Sequence, residues 1–175
     1  RAIGDSGDEY VGDVLVIATG AQVKWLGVPG EQELGGKGVS ACATCDGFFY
    51  RGKKVAVIGG GNTAVEEALY LTNHSDDVTL IHRRDELRAE KILQERLLNH
   101  PKISVIWNKA VESFEAGPTG ALGHLKLRDT VTGEDSTLEV DGAFVAIGHA
   151  PATELFKGKL PMDEGGYLLT EAGSP

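Results

Sequence analysis

Residues 55–64, Val-Ala-Val-Ile-Gly-Gly-Gly-Asn-Thr-Ala, form a strand-sized apolar run that passes directly into a glycine-rich turn. Beyond the turn, mainly apolar side chains recur at the spacing of one helix face, at Val65, Ala68, Leu69 and Thr72. Strand, glycine turn and helix in this order are the setting of a dinucleotide-binding fingerprint. The sequence therefore predicts a βαβ unit around residues 55–64.

The fingerprint itself is Gly59-x-Gly61-x-x-Ala64. Gly59 permits the tight turn, Gly61 lets the backbone approach a pyrophosphate, and the small Ala64 lets the helix pack on the strand. The N-terminus of the helix supplies N–H groups and a partial positive charge to the same phosphates. The alternative is an ordinary glycine turn in which Thr63 and Glu66 form a capping box.

Further elements of an α/β domain lie on both sides of the fingerprint. We expect strands at residues 10–20, 53–58, 78–81, 103–106 and 141–148, and a second helix at residues 87–98 that Asp85 caps. Shorter alternating runs predict an antiparallel β-meander at residues 112–114, 122–128 and 136–140. The predicted fold class is α/β, a Rossmann-like doubly wound parallel sheet with an antiparallel β-meander.

The composition excludes several classes of protein. Glycine accounts for 24 of 175 residues, with 41% hydrophobic and 25% charged residues, which is a globular composition rich in tight turns. A formal charge of −9 without a run of Lys and Arg argues against a nucleic-acid surface, because phosphate binding needs clustered positive charge. The apolar runs are too short for a membrane helix. We expect small-molecule or protein partners, with no nucleic acid and no membrane.

The strand after the fingerprint helix ends in Ile81-His82-Arg83-Arg84, and Arg88 follows one helical turn later. An NAD-binding domain places an acidic residue in this region to hold the ribose 2′-hydroxyl. Guanidinium groups instead clamp a 2′-phosphate through charge-assisted hydrogen bonds. The pattern favours NADP over NAD. The alternative is a solvated basic patch that pairs with the acidic residues at positions 85 and 86.

The two cysteines, Cys42 and Cys45, are separated by two residues and followed by Asp46. Two thiols at this spacing can close a small disulfide, and a stabilised thiolate is a nucleophile in thiol–disulfide exchange. Asp46 could shuttle the proton that the exchange consumes. Zinc would need two more ligands, and the five histidines show no paired metal-ligand spacing, so we expect no metal. Two buried, inert cysteines are the open alternative.

Four segments carry a family resemblance: residues 41–50, Ala-Cys-Ala-Thr-Cys-Asp-Gly-Phe-Phe-Tyr; residues 57–64; residues 81–90; and residues 145–149, Val-Ala-Ile-Gly-His. In this order and at these intervals they resemble the low-molecular-weight, bacterial-type thioredoxin reductases over nearly the whole chain. Related flavoproteins, including the flavoprotein subunit of alkyl hydroperoxide reductase, share the architecture but differ around the cysteine pair.

The resemblance implies a cytoplasmic, homodimeric flavoprotein that passes electrons from NADPH through FAD to the Cys42–Cys45 disulfide and then to thioredoxin. It implies that Cys45 faces the flavin, that Cys42 attacks thioredoxin and that Asp46 acts as the acid. The residues expected to bind NADP(H) are Gly59, Gly61, Asn62, Thr63, Ala64, His82, Arg83, Arg84, Arg88, Ile147 and Gly148.

That family also carries a separate glycine-rich FAD fingerprint and a Gly-Asp segment at the flavin, and this sequence contains neither. We expect residues 1–20 and 148–175 to be remnants of an FAD domain, and residues 21–147 to be an NADPH-binding domain with the redox-active cysteine pair. Such a chain should bind NADPH but turn over little, because it lacks a hydride acceptor. The alternatives are a stand-alone NADP(H)-binding module without catalysis, and a related flavin disulfide reductase that serves a peroxidase.

Overall fold

The computed structural model describes residues 1–170, which form two compact units. The larger unit runs from Val23 to His149, and the smaller combines residues 1–22 with the chain from Ala150 onward. These limits lie close to the predicted limits of 21–147. Whether the smaller unit belongs to an FAD domain stays a prediction, and residues 171–175 of the predicted C-terminal remnant lie outside the described residues.

Within residues 1–170 the structure has twelve strands, three α-helices and two short 3₁₀ helices. The strands are β1 Ala2–Ile3, β2 Glu9–Tyr10, β3 Ala21–Val23, β4 Val39–Ser40, β5 Lys54–Ile58, β6 Asp77–Ile81, β7 Ile103–Ile106, β8 Lys109–Ala116, β9 Leu122–Asp129, β10 Asp135–Glu139, β11 Gly142–Val145 and β12 His149–Pro151. The helices are α1 Ala43–Asp46, α2 Asn62–Leu71 and α3 Lys91–Leu98, and the 3₁₀ helices are Gly47–Tyr50 and Glu154–Phe156.

A five-stranded parallel sheet in the order β4-β11-β5-β6-β7 organises the larger unit. The central strand β5 is buried on both faces from Val55 to Ile58, as expected of an inner parallel strand. Its register with β6 pairs Val57 with Leu80 and Ile58 with Ile81. The strands predicted at residues 53–58, 78–81, 103–106 and 141–148 are confirmed.

The two faces of this sheet are covered by different layers. Val55 and Val57 pack with helix α2 and with Leu97 of α3. Ala56 and Ile58 point the other way, because side chains alternate along a strand, and pack against the antiparallel sheet β8–β9–β10. The predicted meander is therefore confirmed, and it forms the second layer against the parallel sheet. The Rossmann-like α/β class is confirmed as well.

The smaller unit contradicts one prediction. Residues 10–20 were expected to form a buried strand, but only Tyr10 belongs to a strand, in the short antiparallel pair β1–β2. Val14, Leu15 and Val16 are 83%, 66% and 81% exposed. No strand pairs with this run among residues 1–170, and an apolar run becomes a strand only where neighbours take up its backbone hydrogen bonds.

The second helix also differs from the prediction: it begins at Lys91 rather than at residue 87, and Asp85 does not cap it. Tertiary hydrogen bonds hold the preceding loop in a non-helical conformation. The Arg88 N–H donates to the Gly60 carbonyl at 2.7 Å, and the Glu90 N–H donates to Asn62 Oδ1 at 2.8 Å. These contacts replace the first turn of the expected helix.

Helix α2 begins after Gly61 without a side-chain cap, so the capping box of Thr63 and Glu66 does not form. Among the described residues, every helix is too short or too polar to pass through a bilayer.

Candidate functional site

A pocket of about 540 Å³ opens in the larger unit where β5, β6 and β11 end. Ligands of open α/β sheets bind outside the carboxyl ends of the strands, so the fold directs attention to this edge. The lining residues are Leu26, Val28, Ile58, Gly59, Gly60, Gly61, Thr63, Ile81, His82, Arg83, Arg88, Lys109, Ala110, Val111, Ala146, Ile147 and Gly148.

The three glycines of the turn serve different purposes. A Cβ at Gly59 would collide with the Ala146 carbonyl and lie 2.7 Å from Ala64 Cβ, so the close packing of β5, β11 and α2 requires glycine there. A Cβ at Gly60 would enter the ring of His82. Gly61 instead faces open space and immediately precedes α2. The turn thus leaves its backbone open at the N-terminus of a ten-residue helix, where an anionic group is favoured.

His82 lies beneath this turn rather than with the exposed arginines. It is 4% exposed, its ring packs edge-on against Trp107, and its Nε2 atom has no hydrogen-bond partner within residues 1–170. Burial lowers the pKa of His82. Hydrogen bonding with the Glu86 and Gly59 backbone raises this pKa in part, and the positive charges of Arg88 and Arg84 lower it further. The neutral imidazole is therefore favoured, so the positive charge at the pocket comes from the arginines and from Lys109.

Arg83, Arg84 and Arg88 are exposed and form no ion pair within the described part of the chain. The alternative of a basic patch whose arginines pair with the acidic residues at positions 85 and 86 is therefore not observed. Two segments beside the antiparallel sheet hold the backbone of Arg83 and Arg84: the Thr130 hydroxyl, after β9, donates to the Arg83 carbonyl at 3.0 Å, and the Asn108 N–H, before β8, donates to the Arg84 carbonyl at 3.2 Å. The guanidinium groups remain available to an anion.

The structure gathers most of the expected cofactor residues at the pocket and leaves three outside it. The residues that line it are Gly59, Gly61, Thr63, His82, Arg83, Arg88, Ile147 and Gly148. Asn62 instead accepts the Glu90 N–H, Ala64 is buried in the core, and the Arg84 side chain does not line the cavity.

Lys109 is a pocket residue that the sequence analysis missed. Its backbone N–H donates to the His82 carbonyl at 3.1 Å, and its Nζ lies 3.0 Å from Asp129 Oδ2. Hydrogen bonds from the Thr132 and Val131 N–H groups, with Lys109, lower the pKa of Asp129 to about 2. Its position just beyond β7, at the carboxyl edge of the parallel sheet, was the available signal.

The cysteine pair lies in the same unit and follows β4, which also ends at the carboxyl edge of the sheet. Cys42 and Cys45 form a disulfide across the four-residue helix α1. The Cys45 N–H donates to Cys42 Sγ at 3.2 Å, and the Thr44 hydroxyl lies 3.4 Å from the same sulfur. Cys42 is half-buried and Cys45 is exposed, so this disulfide is reachable from solvent. The alternative of two inert, buried thiols is not what the structure contains.

Asp46, the predicted acid, ends α1 beside this disulfide. Its Oδ2 accepts a hydrogen bond of 2.6 Å from the Ser40 hydroxyl. The same Ser40 oxygen accepts the Cys42 N–H at 3.1 Å. Ser40 therefore links the aspartate to the backbone of Cys42, a connection that the sequence did not reveal.

Comparison with known proteins decides the family. Residues 2–174 match the pyridine nucleotide-disulphide oxidoreductase family. The chain belongs to this family. Both parts of that description correspond to features of the larger unit, namely a dinucleotide fingerprint at a pocket and a disulfide at a strand end.

Individual relatives agree with one another. The chain is 52% identical to thioredoxin reductase of Rickettsia felis over 171 residues, covering 97% of this chain and 55% of that protein. It is 52% identical to thioredoxin reductase of Escherichia coli O157:H7 over 177 residues, covering 99% and 54%. The solved thioredoxin reductase of Giardia duodenalis aligns with a TM-score of 0.83 at 36% identity, covering 98% and 56%. The chain thus spans about half the length of these relatives.

Proposed function

We propose that this chain is the nucleotide- and disulfide-bearing part of a thioredoxin reductase, in which electrons pass from NADPH, with FAD, to the Cys42–Cys45 disulfide and then to thioredoxin. The observation that carries the proposal is that one compact unit holds both a fingerprint pocket and an accessible CxxC disulfide. The relatives with about 52% sequence identity, which are named thioredoxin reductase, support the same activity.

The pocket fits NADP(H) in shape and charge. The open backbone at Gly61 and the N-terminus of α2 suit the pyrophosphate. Arg83 and Arg88, unpaired within residues 1–170, suit the 2′-phosphate of the adenosine ribose. Apolar walls at Val28 and Ile147 suit the rings of the cofactor. Electrostatic selection by the arginines is the basis for preferring NADPH to NADH.

In the disulfide step the residues of α1 have separable roles. The Cys45 N–H, which donates to Cys42 Sγ, favours negative charge on that sulfur once the bond opens. Cys42 is then the thiolate that attacks the disulfide of thioredoxin, and Asp46 handles the accompanying proton from its position beside Ser40. FAD, when bound, supplies the two-electron carrier between the nicotinamide and the disulfide.

Three further properties belong to the same proposal. The partner is a thioredoxin, the complete enzyme is a homodimer, and its location is the cytoplasm. A cytoplasmic location is compatible with a chain that has only two cysteines, both in one redox-type motif.

The binding half of the proposal is tested by titrating the 175-residue chain with NADPH and with NADH by calorimetry. Because a charge-assisted hydrogen bond contributes about 1.5–3 kcal/mol, Arg83→Ala should weaken NADPH binding by about tenfold or more and leave NADH binding unchanged. Arg96→Ala, which removes an exposed arginine from α3, is the matched control and should change neither.

Equal weakening of NADPH and NADH by Arg83→Ala would contradict the 2′-phosphate assignment. Absence of binding by either nucleotide would contradict the assignment of the pocket. Binding of NADPH together with a disulfide that dithiothreitol leaves intact would favour the alternative of a nucleotide-binding module without catalysis.

A further inference from the structure

Glu67 is a carboxyl group inside the helix layer that the proposed chemistry does not use. It lies on α2 among Ala64, Ala68 and Leu71, which face the core. Its Oε2 atom is buried and has no hydrogen-bond partner within residues 1–170. Its neighbour Glu66, on the same helix, is exposed. The core-facing position of an acidic side chain is costly and calls for a physical reason.

The face of α2 that carries Glu67 packs toward the start of the redox helix. Helix α2 packs against α1, and Ala43, the first residue of α1, belongs to the same core cluster as Ala64, Ala68 and Leu71. Ala43 is fully buried and directly follows Cys42. Burial raises the pKa of Glu67 to about 7, against a smaller lowering by the Ala43 N–H. Near neutral pH both the protonated and the ionised forms of this carboxyl are therefore populated.

Other charges do not account for the protonation of Glu67. The ionisable side chains on the elements packed against α2 are Asp46 on α1, Lys54 on β5, Asp77 on β6, and Lys91, Glu95 and Arg96 on α3. All are exposed except Asp46, which accepts from Ser40, and none contributes to the pKa of Glu67. Besides Asp46, the group at α1 whose charge can change is the cysteine pair, which is uncharged as a disulfide.

We propose that Glu67 is a redox-linked proton site of the Cys42–Cys45 pair, which binds a proton when the disulfide is reduced and releases it when the disulfide reforms. On reduction the S–S bond breaks and two electrons enter from the reductant. One sulfur takes a proton from solvent, the other becomes the thiolate, and the Glu67 carboxyls that are still ionised take up protons from solvent. Oxidation by a disulfide substrate reverses each transfer.

The physical basis is repulsion between like charges. The Cys45 N–H places the thiolate on Cys42, one residue before Ala43, whose backbone N–H lowers the pKa of Glu67. A carboxylate and a thiolate near the same buried amide disfavour each other, so the ionisation of one raises the pKa of the other. Glu67 is therefore a positioning residue: it acts on the thiol through charge, and it does not exchange electrons or form bonds with substrate.

This inference rests on the proposed function only in requiring that the disulfide be reducible, and the experiment separates the two. The 175-residue chain, with ¹³C-labelled glutamate carboxyls, is titrated from pH 5 to 9 by NMR, first oxidised and then reduced by dithiothreitol. Glu67 is assigned by its missing signal in E67Q. The midpoint of Glu67 should rise by about one pH unit on reduction, a roughly tenfold gain in proton affinity. Glu66 should not respond.

A second measurement reads the thiol directly. Iodoacetamide alkylation of the reduced chain at pH 8 should be roughly threefold faster in E67Q than in the unsubstituted chain, because the neutral amide no longer opposes the thiolate. E66Q, which changes an exposed carboxyl on the same helix, should leave the rate unchanged.

Equal Glu67 midpoints in the oxidised and reduced chains would overturn the inference. Both midpoints are measured on the unsubstituted chain, and E67Q is needed only to assign the signal. Equal alkylation rates of E67Q and E66Q would overturn it too. A disulfide that dithiothreitol cannot reduce would overturn the proposed redox role as well.

Discussion

Residues 14–17 and residues 55–58 are two apolar runs of nearly the same composition, Val-Leu-Val-Ile and Val-Ala-Val-Ile, and each is followed within three residues by a glycine. The second run lies in a central strand with every residue buried. The first is not in a strand, and Val14 and Val16 are more than 80% exposed. Similar local sequences therefore have different structures in the two units.

The difference lies in what surrounds each run. Strand β5 pairs with β11 on one side and with β6 on the other, and both faces of the sheet are covered. Residues 14–17 have no pairing strand among the described residues. Apolar composition makes a strand favourable only when partners remove both the side chains and the backbone from water.

The largest expected contrast is between Val57→Asp and Val16→Asp. Val57 is completely buried, so an unpaired carboxylate there should cost about 3–5 kcal/mol of the free energy of unfolding and leave much of the chain unfolded. Val16 is 81% exposed, and its substitution should change the free energy of unfolding by less than about 0.5 kcal/mol. Urea denaturation followed by circular dichroism measures both. A comparable loss for Val16→Asp would show that residues 14–17 are buried in solution.

A smaller contrast is expected at the glycines that end the two runs. In Gly59→Ala the new methyl would collide with the Ala146 carbonyl and with Ala64, which should cost about 3 kcal/mol because backbone has to move. Gly20 has a φ of +71° and open space around it, so Gly20→Ala should cost about 1 kcal/mol from backbone strain alone.

The same denaturation experiment compares the two glycine variants. NADPH titration of Gly59→Ala adds an independent readout, because the displaced turn would no longer present its backbone to phosphate. Equal costs at the two glycines would contradict the close packing described for β5, β11 and α2.

The smallest contrast concerns two aspartates, Asp141, which contacts the start of β5 from a distant part of the sequence, and Asp13, which directly precedes residues 14–17. Asp141 Oδ2 accepts the Lys54 N–H at 2.9 Å and so anchors the first residue of β5. Asp141→Ala should cost about 1 kcal/mol and speed amide exchange at Lys54. Asp13 precedes the other run but accepts no hydrogen bond within residues 1–170, so Asp13→Ala should fall within about 0.5 kcal/mol of the unsubstituted chain. Amide hydrogen exchange with NMR detection distinguishes the two, and unchanged exchange at Lys54 would contradict the anchoring role.

The comparison also shows which parts of the site could be anticipated. The fingerprint at residues 59–64 and the CxxC pair depend on residue types at fixed spacings, so both were recognisable in the sequence. Lys109 reaches the pocket from β8, which is distant in sequence from the fingerprint, whereas Ser40 on β4 is only two residues from Cys42 but belongs to no recognisable motif. Asp85 was predicted to be a helix cap because the local pattern favours a helix, but the hydrogen bond from Arg88 to Gly60 holds that segment in a non-helical loop.

By itself the sequence determined the features whose causes are local: the strands and helix of the βαβ unit, the antiparallel meander, the glycine turn and the adjacent cysteines. Periodicity and turn chemistry operate over a few residues, which a single chain displays directly. The tertiary structure alone decided that residues 14–17 stay exposed, that His82 is buried beneath Gly60, and that Glu67 Oε2 is buried without a hydrogen-bond partner among residues 1–170. In each case, residues that are distant in sequence decide whether the group is removed from water. No local pattern contains that information.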